Sequence, residues 1–248
     1  MNFNRSLLKH IHFDVVDSTN AWAKEHSEEW AASGVTLITA SGQRAGKGRL
    51  NRTWISPPSV NIYATFAFNL FLDLKEIGHI PQVLALTAAA VLESQGFPLK
   101  IKWPNDLLLN GKKIGGILCE TISKPGGYGV ICGIGLNVNM TSETAVQIGQ
   151  PVTSLLIESG HEHSIEIILH TIQERFLKNL NLFLDKGFPP FFPFFKKRLA
   201  HKKGDLVLFH HNQKLLQACF EKLHSDGAVE LVMFDGKSKR FYAGEFIQ

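Results

Sequence analysis

No stretch of this sequence is long and apolar enough to cross a membrane, and no cysteine pattern staples it. The longest apolar run, Val83 to Leu92, contains a threonine and falls short of the roughly 20 residues that a bilayer helix needs. The three cysteines, Cys119, Cys132 and Cys219, are odd in number and show no C-x-x-C spacing. Neither a disulfide framework nor a zinc ribbon is signalled, and they read as small buried hydrophobes. The N-terminus lacks a secretory signal, because Lys9 and His10 fall where an unbroken apolar core would be needed. A soluble, cytoplasmic protein is expected. Charge of neither sign dominates: 26 Lys and Arg stand against 22 Asp and Glu, a net +4. The local crowding of Lys196, Lys197, Arg198, Lys202 and Lys203 reads as a basic seam rather than a nucleic-acid surface. A Walker A sequence and a G-x-S-x-G elbow are both missing. The histidine pairs His161/His163 and His210/His211 lack the carboxylates or cysteines that would complete a metal site.

What is present is ordinary globular material: 248 residues, 44% hydrophobic and 19% charged, enough for one large domain or a large and a small one. Asp17-Ser18-Thr19-Asn20 offers N-cap residues before a helical start at Ala21, and Val35–Thr39 and Asn61–Phe68 read as strands on either side of a long basic loop. Pro81 opens an apolar helix that closes at Gly96. A strand from Leu99 meets Lys102-Trp103-Pro104-Asn105-Asp106, and Asn110-Gly111 turns the chain into a hairpin whose return strand runs to Glu120. Another strand follows from Tyr128 to Asn139, so antiparallel pairing is expected to dominate. Ser164 caps a helix with apolar positions 165, 168, 169, 172, 176, 180 and 183, a spacing that covers one sheet face. The run from Phe188 to Phe195 reads as interdomain packing, and a small β module is expected from about residue 200 onward, docked on the larger part.

Three segments carry residues fit for chemistry. In the loop Ser41 to Trp54, glycines allow close backbone approach while Arg44, Lys47, Arg49 and Arg52 gather cations, a combination suited to a phosphate or an adenylate. A solvated basic hairpin explains the same residues, and Asn51 stands where the third glycine of a dinucleotide fingerprint would be. Lys102 to Asp106, with Lys113 across the hairpin, can bring an amide, a carboxylate and an ammonium to one spot, although Asn and Asp are also routine turn formers. Asp17 to Asn20 can read a polar head group at a helix N-terminus, or simply cap the helix.

Together and in this order, Asp17-Ser-Thr-Asn20, Gln43-Arg-Ala-Gly-Lys-Gly-Arg49 with Arg52 and Trp54, and Lys102-Trp-Pro-Asn-Asp106 with Lys113 and Gly115-Gly116 resemble the motifs of the biotin protein ligases. The likeness runs from about residue 10 to Asn139, is looser to 190, and returns at Gly244-Glu245-Phe246. It implies an α+β fold: a mixed, largely antiparallel sheet with packed helices, like the class II synthetases, over 1–195, and a small SH3-like β-barrel over 200–248. It also implies a two-step reaction. Biotin and Mg-ATP give biotinoyl-5′-adenylate and pyrophosphate, and the biotinoyl group then passes to a lysine of a carboxyl carrier protein.

By the same resemblance, Lys113, Arg49 and Asp106 are catalytic. Ser18, Thr19, Asn20, Gln43, Lys47, Gly48, Arg49, Lys113 and Gly116 bind biotin, and Arg49, Arg52, Trp54, Asn105 and Asp106 bind the nucleotide. ATP with Mg2+ and biotin are the implied substrates, with no tightly bound metal, no DNA or membrane partner, and a homodimer through exposed sheet edges within the family's habit. Only 16 residues precede Asp17, so a winged-helix DNA-binding domain is not expected. Likewise, the chain ends four residues after Gly244, so an arginine offered to the adenine by a longer tail is not expected. Where the family commonly reads Gly-Arg-Gly-Arg-Arg-Gly-Arg, this chain has Gly46-Lys-Gly-Arg-Leu-Asn-Arg52, and weaker adenylate retention is expected from Leu50 and Asn51. Four loop cations without an anion repel one another, so residues 44–52 are expected to close only on ligand. The competing expectations are a lipoate or octanoate ligase of the same superfamily and a non-enzymatic basic nucleic-acid-binding module.

Overall fold

β-branched and aromatic residues buried on both sides make Val35–Gln43 (β2) and Asn61–Leu70 (β3) central strands, and a sheet covered on both faces is the arrangement that hides such runs. The computed structural model describes residue 3 and residues 8–71 and 74–247, without the side chains of 51, 74 and 75. Most of the N-terminal segment read for a signal, and the terminal Gln248, lie outside the described residues. Leu8–Val16 (β1) runs parallel to β2, and Thr19–Glu25 (α1) is the crossover that parallel pairing requires. The large sheet is completed by Lys100–Lys102 (β4), Asp106–Leu109 (β5), Lys112–Lys124 (β6) and Gly127–Asn137 (β7), in the order β1-β2-β3-β7-β6-β5-β4. Every pairing after the first is antiparallel. Asn110 and Gly111, at φ 49° and 78°, make the tight turn between β5 and β6 that their sequence announces.

Helices then fill the faces. Leu74–Ile77 (α2) is a single turn. Ile80–Glu93 (α3), opened by Pro81, ends three residues before Gly96, which takes the left-handed conformation at φ 94°. Ser142–Gln147 (α4) and Leu155–Ser159 (α5) are short. Ile165–Lys186 (α6) starts where Ser164 Oγ accepts from Ile167 N at 3.2 Å, and buries Ile168, Ile172, Phe176, Leu180 and Phe183. Its Phe176 ring lies 4.8 Å from that of Phe66 on β3, so α3 and α6 cover one sheet face. On the other face α1 lays Ala23 over Ile38, Ala67 and Ile131, with Trp30 beside them. The sheet is left open at the N-terminus of α1, and that opening positions the site.

Phe192–Arg198 (α7) begins within the Phe-rich run. Phe188, Phe191 and Phe195 are buried in the main core, as packing rather than as an exposed stacking surface. Leu206–His211 (β8), Lys214–Leu223 (β9), Val229–Met233 (β10), Ser238–Phe241 (β11) and Glu245–Ile247 (β12) form a second, antiparallel sheet ordered β11-β10-β9-β8-β12. The α+β class with a large mixed sheet and a small C-terminal β unit is thus the one expected. Trp103 joins the two sheets: it is buried, its Nε1 donates to Gly227 O at 2.9 Å, and its ring packs against Phe209 and Phe246. Truncating such an aromatic costs about 3–5 kcal/mol. Cys132 is buried and lies directly opposite half-buried Cys119; these and Cys219 are free thiols. Among the described residues no helix is long and apolar enough to cross a membrane.

Candidate active site

The helix cap comes first. Ser18 Oγ accepts from Ala21 N at 3.4 Å and ends β1's approach with a buried hydroxyl. Next to it Thr19 N donates to Gln43 Oε1 at 2.9 Å, and Gln43 Nε2 donates to Ser56 Oγ at 2.9 Å, which fixes the Gln43 amide. Asn20 is fully engaged: its Nδ2 donates to Leu118 O and Glu120 Oε2, and its Oδ1 accepts from Thr65. The packing there is so close that a Cβ on Gly133 would stand 2.1 Å from Asn20 Oδ1. The side chains lining this end of the site are uncharged and hydrogen-bonded, and Ser18, Thr19 and Asn20 are buried.

The basic loop folds as a small hairpin of its own. Lys47 bridges Thr53, Gly48 N donates to Arg52 O at 2.7 Å, and Trp54 N donates to Gly46 O at 2.8 Å. Gly46 is needed because a Cβ there would meet Trp54 O at 2.4 Å. Residues Arg49–Asn51 form a 3-10 turn with Leu50 in the left-handed region, φ 54°, and its side chain exposed. The side chain of Asn51 lies outside the described residues. Two of the loop's four cations have carboxylate partners, which relieves part of the repulsion expected among them. Arg44 turns outward to Asp17 at 3.5 Å, while Arg52 makes a two-pronged ion pair with the buried carboxylate of Glu245 on β12. Arg49 Nη1 donates to Asn105 Oδ1 at 3.2 Å. Burial lowers the pKa of Arg49, an effect opposed by the nearby Glu245 and Asp106.

Opposite the loop, the Trp103-Pro104 corner sets Asn105 and Asp106 at the start of β5. The Asn105 side chain spans the gap to Ile117 O and, through Oδ1, to Arg49. Asp106 lies between two ammonium groups, Lys113 at 2.7 Å and Lys102 at 3.4 Å. Lys113 is braced from behind: its N donates to Pro151 O at 3.0 Å and its O accepts from Thr153 N at 2.9 Å. Trp54 closes the wall, with its indole so near the sheet that a Cβ on Gly135 would lie 2.6 Å from the ring and with Lys113 Nζ 5.6 Å from the ring centre.

These parts enclose one cleft, whose empty space is about 920 Å³ with the open solvent at its mouth included. Every site residue named from the sequence lines it: Ser18, Thr19, Asn20, Gln43, Lys47, Gly48, Arg49, Arg52, Trp54, Asn105, Asp106, Lys113 and Gly116. Arg44 does not. Five cations face two carboxylates along its walls, a field that favours an anionic ligand. Among the described residues no group of three His, Cys, Asp or Glu side chains forms a metal cage. Sequence reasoning missed Lys102's place beside Asp106, the buried hydroxyl of Thr65, and Glu245. The last was visible only within Gly244-Glu245-Phe246.

The comparison that decides the family rests on this same region. The model of the biotin/lipoate A/B protein ligase family matches residues 12–137, from β1 to the end of β7. The chain belongs to that family. Over 225 residues it is 32% identical to the biotin–[acetyl-CoA-carboxylase] ligase of Paracoccus denitrificans, covering 87% of this chain and 90% of that one. It is 33% identical over 186 residues to the bifunctional ligase/repressor of Bacillus subtilis, covering 73% of this chain and 56% of that protein. The chain therefore spans little more than half the length of several ligase-family relatives it matches. Among solved structures, the biotin protein ligase of Aquifex aeolicus in complex with biotin and ATP superposes with a TM-score of 0.78 at 29% identity, covering 96% of this chain and 97% of that one.

Proposed function

We propose that the cleft activates biotin with Mg-ATP to biotinoyl-5′-adenylate and then hands the biotinoyl group to a lysine of a biotin carboxyl carrier protein. The observation that carries this reading is the joining, in one cleft, of a neutral buried hydroxyl and amide set with a cationic set around Lys113. The first suits an uncharged cyclic head group; the second suits a carboxylate meeting a triphosphate. The names of the Paracoccus and Aquifex relatives support the same substrates.

Attack of a carboxylate oxygen on the α-phosphorus brings two anions together. Lys113, held by Asp106 and by the backbone clamp at 151–153, places a positive charge where that repulsion develops, and interactions of this kind are worth several kcal/mol when preorganised. Ser18, Thr19 and Gln43 would hold the head group, with Asn20 behind them. Lys47, Gly48 and Arg49 would close over the tail and the phosphate, and Arg52 and Trp54 would border the nucleotide. Asp106 is flanked by two lysines, so Mg2+ enters as part of the Mg-ATP substrate and not as a resident ion. In the second step the acceptor lysine attacks the mixed anhydride and AMP leaves, without a covalent enzyme intermediate. Residues 1–195 hold the acid and most of the nucleotide site, and 200–248 contribute Glu245. A cytoplasmic enzyme, open to pairing through its sheet edges, fits this reading.

ATP–pyrophosphate exchange with biotin, lipoate, octanoate or no acid in parallel tests it. Exchange with biotin alone is expected. Exchange with lipoate or octanoate instead would keep the chemistry and overturn the acid, and no exchange with any acid would overturn the enzyme reading.

A further inference from the structure

Beneath Thr19 lies a hydroxyl that lines no part of the cleft and yet determines what the cleft presents. Thr65, wholly buried on β3, has its Oγ1 2.8 Å from Thr19 Oγ1 and 2.7 Å from Asn20 Oδ1. The orientation of the Asn20 amide is set independently of Thr65. Its Nδ2 donates to Leu118 O at 3.1 Å and to the Glu120 carboxylate at 3.2 Å, and that carboxylate is also paired with Lys24 at 3.3 Å. A backbone carbonyl and a carboxylate only accept, so both amide hydrogens are committed and Oδ1 faces Thr65. A hydroxyl has one hydrogen. That of Thr65 therefore goes to Asn20 Oδ1, and Thr65 turns a lone pair toward Thr19.

The Thr19 hydrogen has two acceptors within the protein. Thr65 Oγ1 is at 2.8 Å, whereas Gln43 Oε1 is at 3.3 Å and already accepts from Thr19 N. With its hydrogen drawn to Thr65, Thr19 Oγ1 faces the cleft with lone pairs. We propose that Thr65 is a positioning residue: through the relay from Thr19 to Thr65 to Asn20, anchored by Glu120, it fixes the Thr19 hydroxyl as an acceptor and so selects an acid whose ring carries an N–H. This rests on the reading of the cleft as a biotin site, and it supplies a physical ground for refusing acids whose head has no N–H donor. A buried acceptor facing another acceptor loses a hydrogen bond and leaves both groups unsatisfied.

The test is a selectivity ratio measured by calorimetry. One ligand is biotin; the other is its cyclic carbonate analogue, in which both ring N–H groups are replaced by oxygen. The wild-type protein is expected to prefer biotin by at least about tenfold. In Thr65→Val the Thr19 hydrogen is free to turn and donate, and the preference is expected to shrink to about twofold; Thr65→Ser, which keeps the hydroxyl, restores it. A merely structural role for Thr65 would weaken both ligands alike, so an unchanged ratio in a folded Thr65→Val protein overturns the inference. Equal binding of the two ligands by the wild-type protein overturns it with no variant needed. If the wild-type protein binds no biotin, the reading of the cleft falls and this inference with it.

Discussion

At the Thr19 end of the cleft the residues that line it are uncharged and closed into the sheet, whereas at the Arg52 end the groups are ions carried on a loop and on β12. Ser18, Thr19 and Asn20 are almost completely buried, and the last two draw their partners from β2, β3 and β6. Arg52 is 59% exposed along its side chain and is tied to Glu245 from the other sheet. A buried hydrogen-bond web is directional and unforgiving, because each unpaired member costs about 1–3 kcal/mol. A half-exposed ion pair is screened by solvent and yields to a competing anion. On the proposed reading, the first kind of site suits the shape and polarity of a head group, and the second suits phosphate.

Breaking each end separately should separate their effects. The largest loss is expected from Lys113→Gln, which removes the charge between carboxylate and α-phosphate: biotin-dependent pyrophosphate exchange should fall about 10²–10³-fold, while biotin affinity changes far less. Exchange kinetics and calorimetry on the same preparation check it. Gly133→Ala attacks the neutral end, since its Cβ has no room beside Asn20 Oδ1. A stability loss of about 1–3 kcal/mol and weakened biotin binding are expected, with the KM for ATP retained in the folded fraction; thermal melts and titration measure both.

Glu245→Gln should do the reverse, raising the KM for ATP about fivefold, the equivalent of about 1 kcal/mol, and leaving biotin affinity as it was. A rise in the KM for biotin alone would mean that β12 serves the wrong end. The smallest effect concerns the brace behind Lys113, where Glu158 accepts from Asn110 Nδ2 at 2.6 Å and from Thr153 Oγ1. The hydrogen bond from Thr153 holds the Glu158 pKa below its ordinary 4.5, against the opposing effect of burial. Its contribution to stability is therefore complete above that value and is lost as the pH falls through the lower folded value. Melting temperatures against pH should show a shallower acid limb for Glu158→Gln than for the wild-type protein.

The ionic end was the more legible of the two in the sequence, because its residues sit in short linear runs. Gly46 to Arg52 and Lys102 to Asp106 announce cations, turns and a rigid corner by type and spacing alone. Yet Trp103, inside the second run, joins the two sheets as well as lining the cleft, and no pattern announces that double use. The neutral end was half legible: Ser18 reads as a helix cap, but Thr65 reads like any strand threonine until β3 is placed under α1. Glu245 was legible only through the resemblance of Gly244-Glu245-Phe246, since its partner is 193 residues away. Among the strands, β1 escaped because its alternation, with His10, His12 and Asp14 outward, belongs to an edge. Its parallel pairing depends on a crossover rather than on a turn signal.

The central claim is that one cleft brings acid and nucleotide together through two separate sets of contacts, and a single-turnover experiment meets it head on. The protein is loaded with labelled biotin and Mg-ATP, freed of small molecules, and mixed with a biotin carboxyl carrier domain. The account predicts labelled biotinoyl-adenylate retained by the protein and its label appearing on one carrier lysine as AMP is released. Label that never stays with the protein beyond free biotin, or that never reaches the carrier, would contradict it.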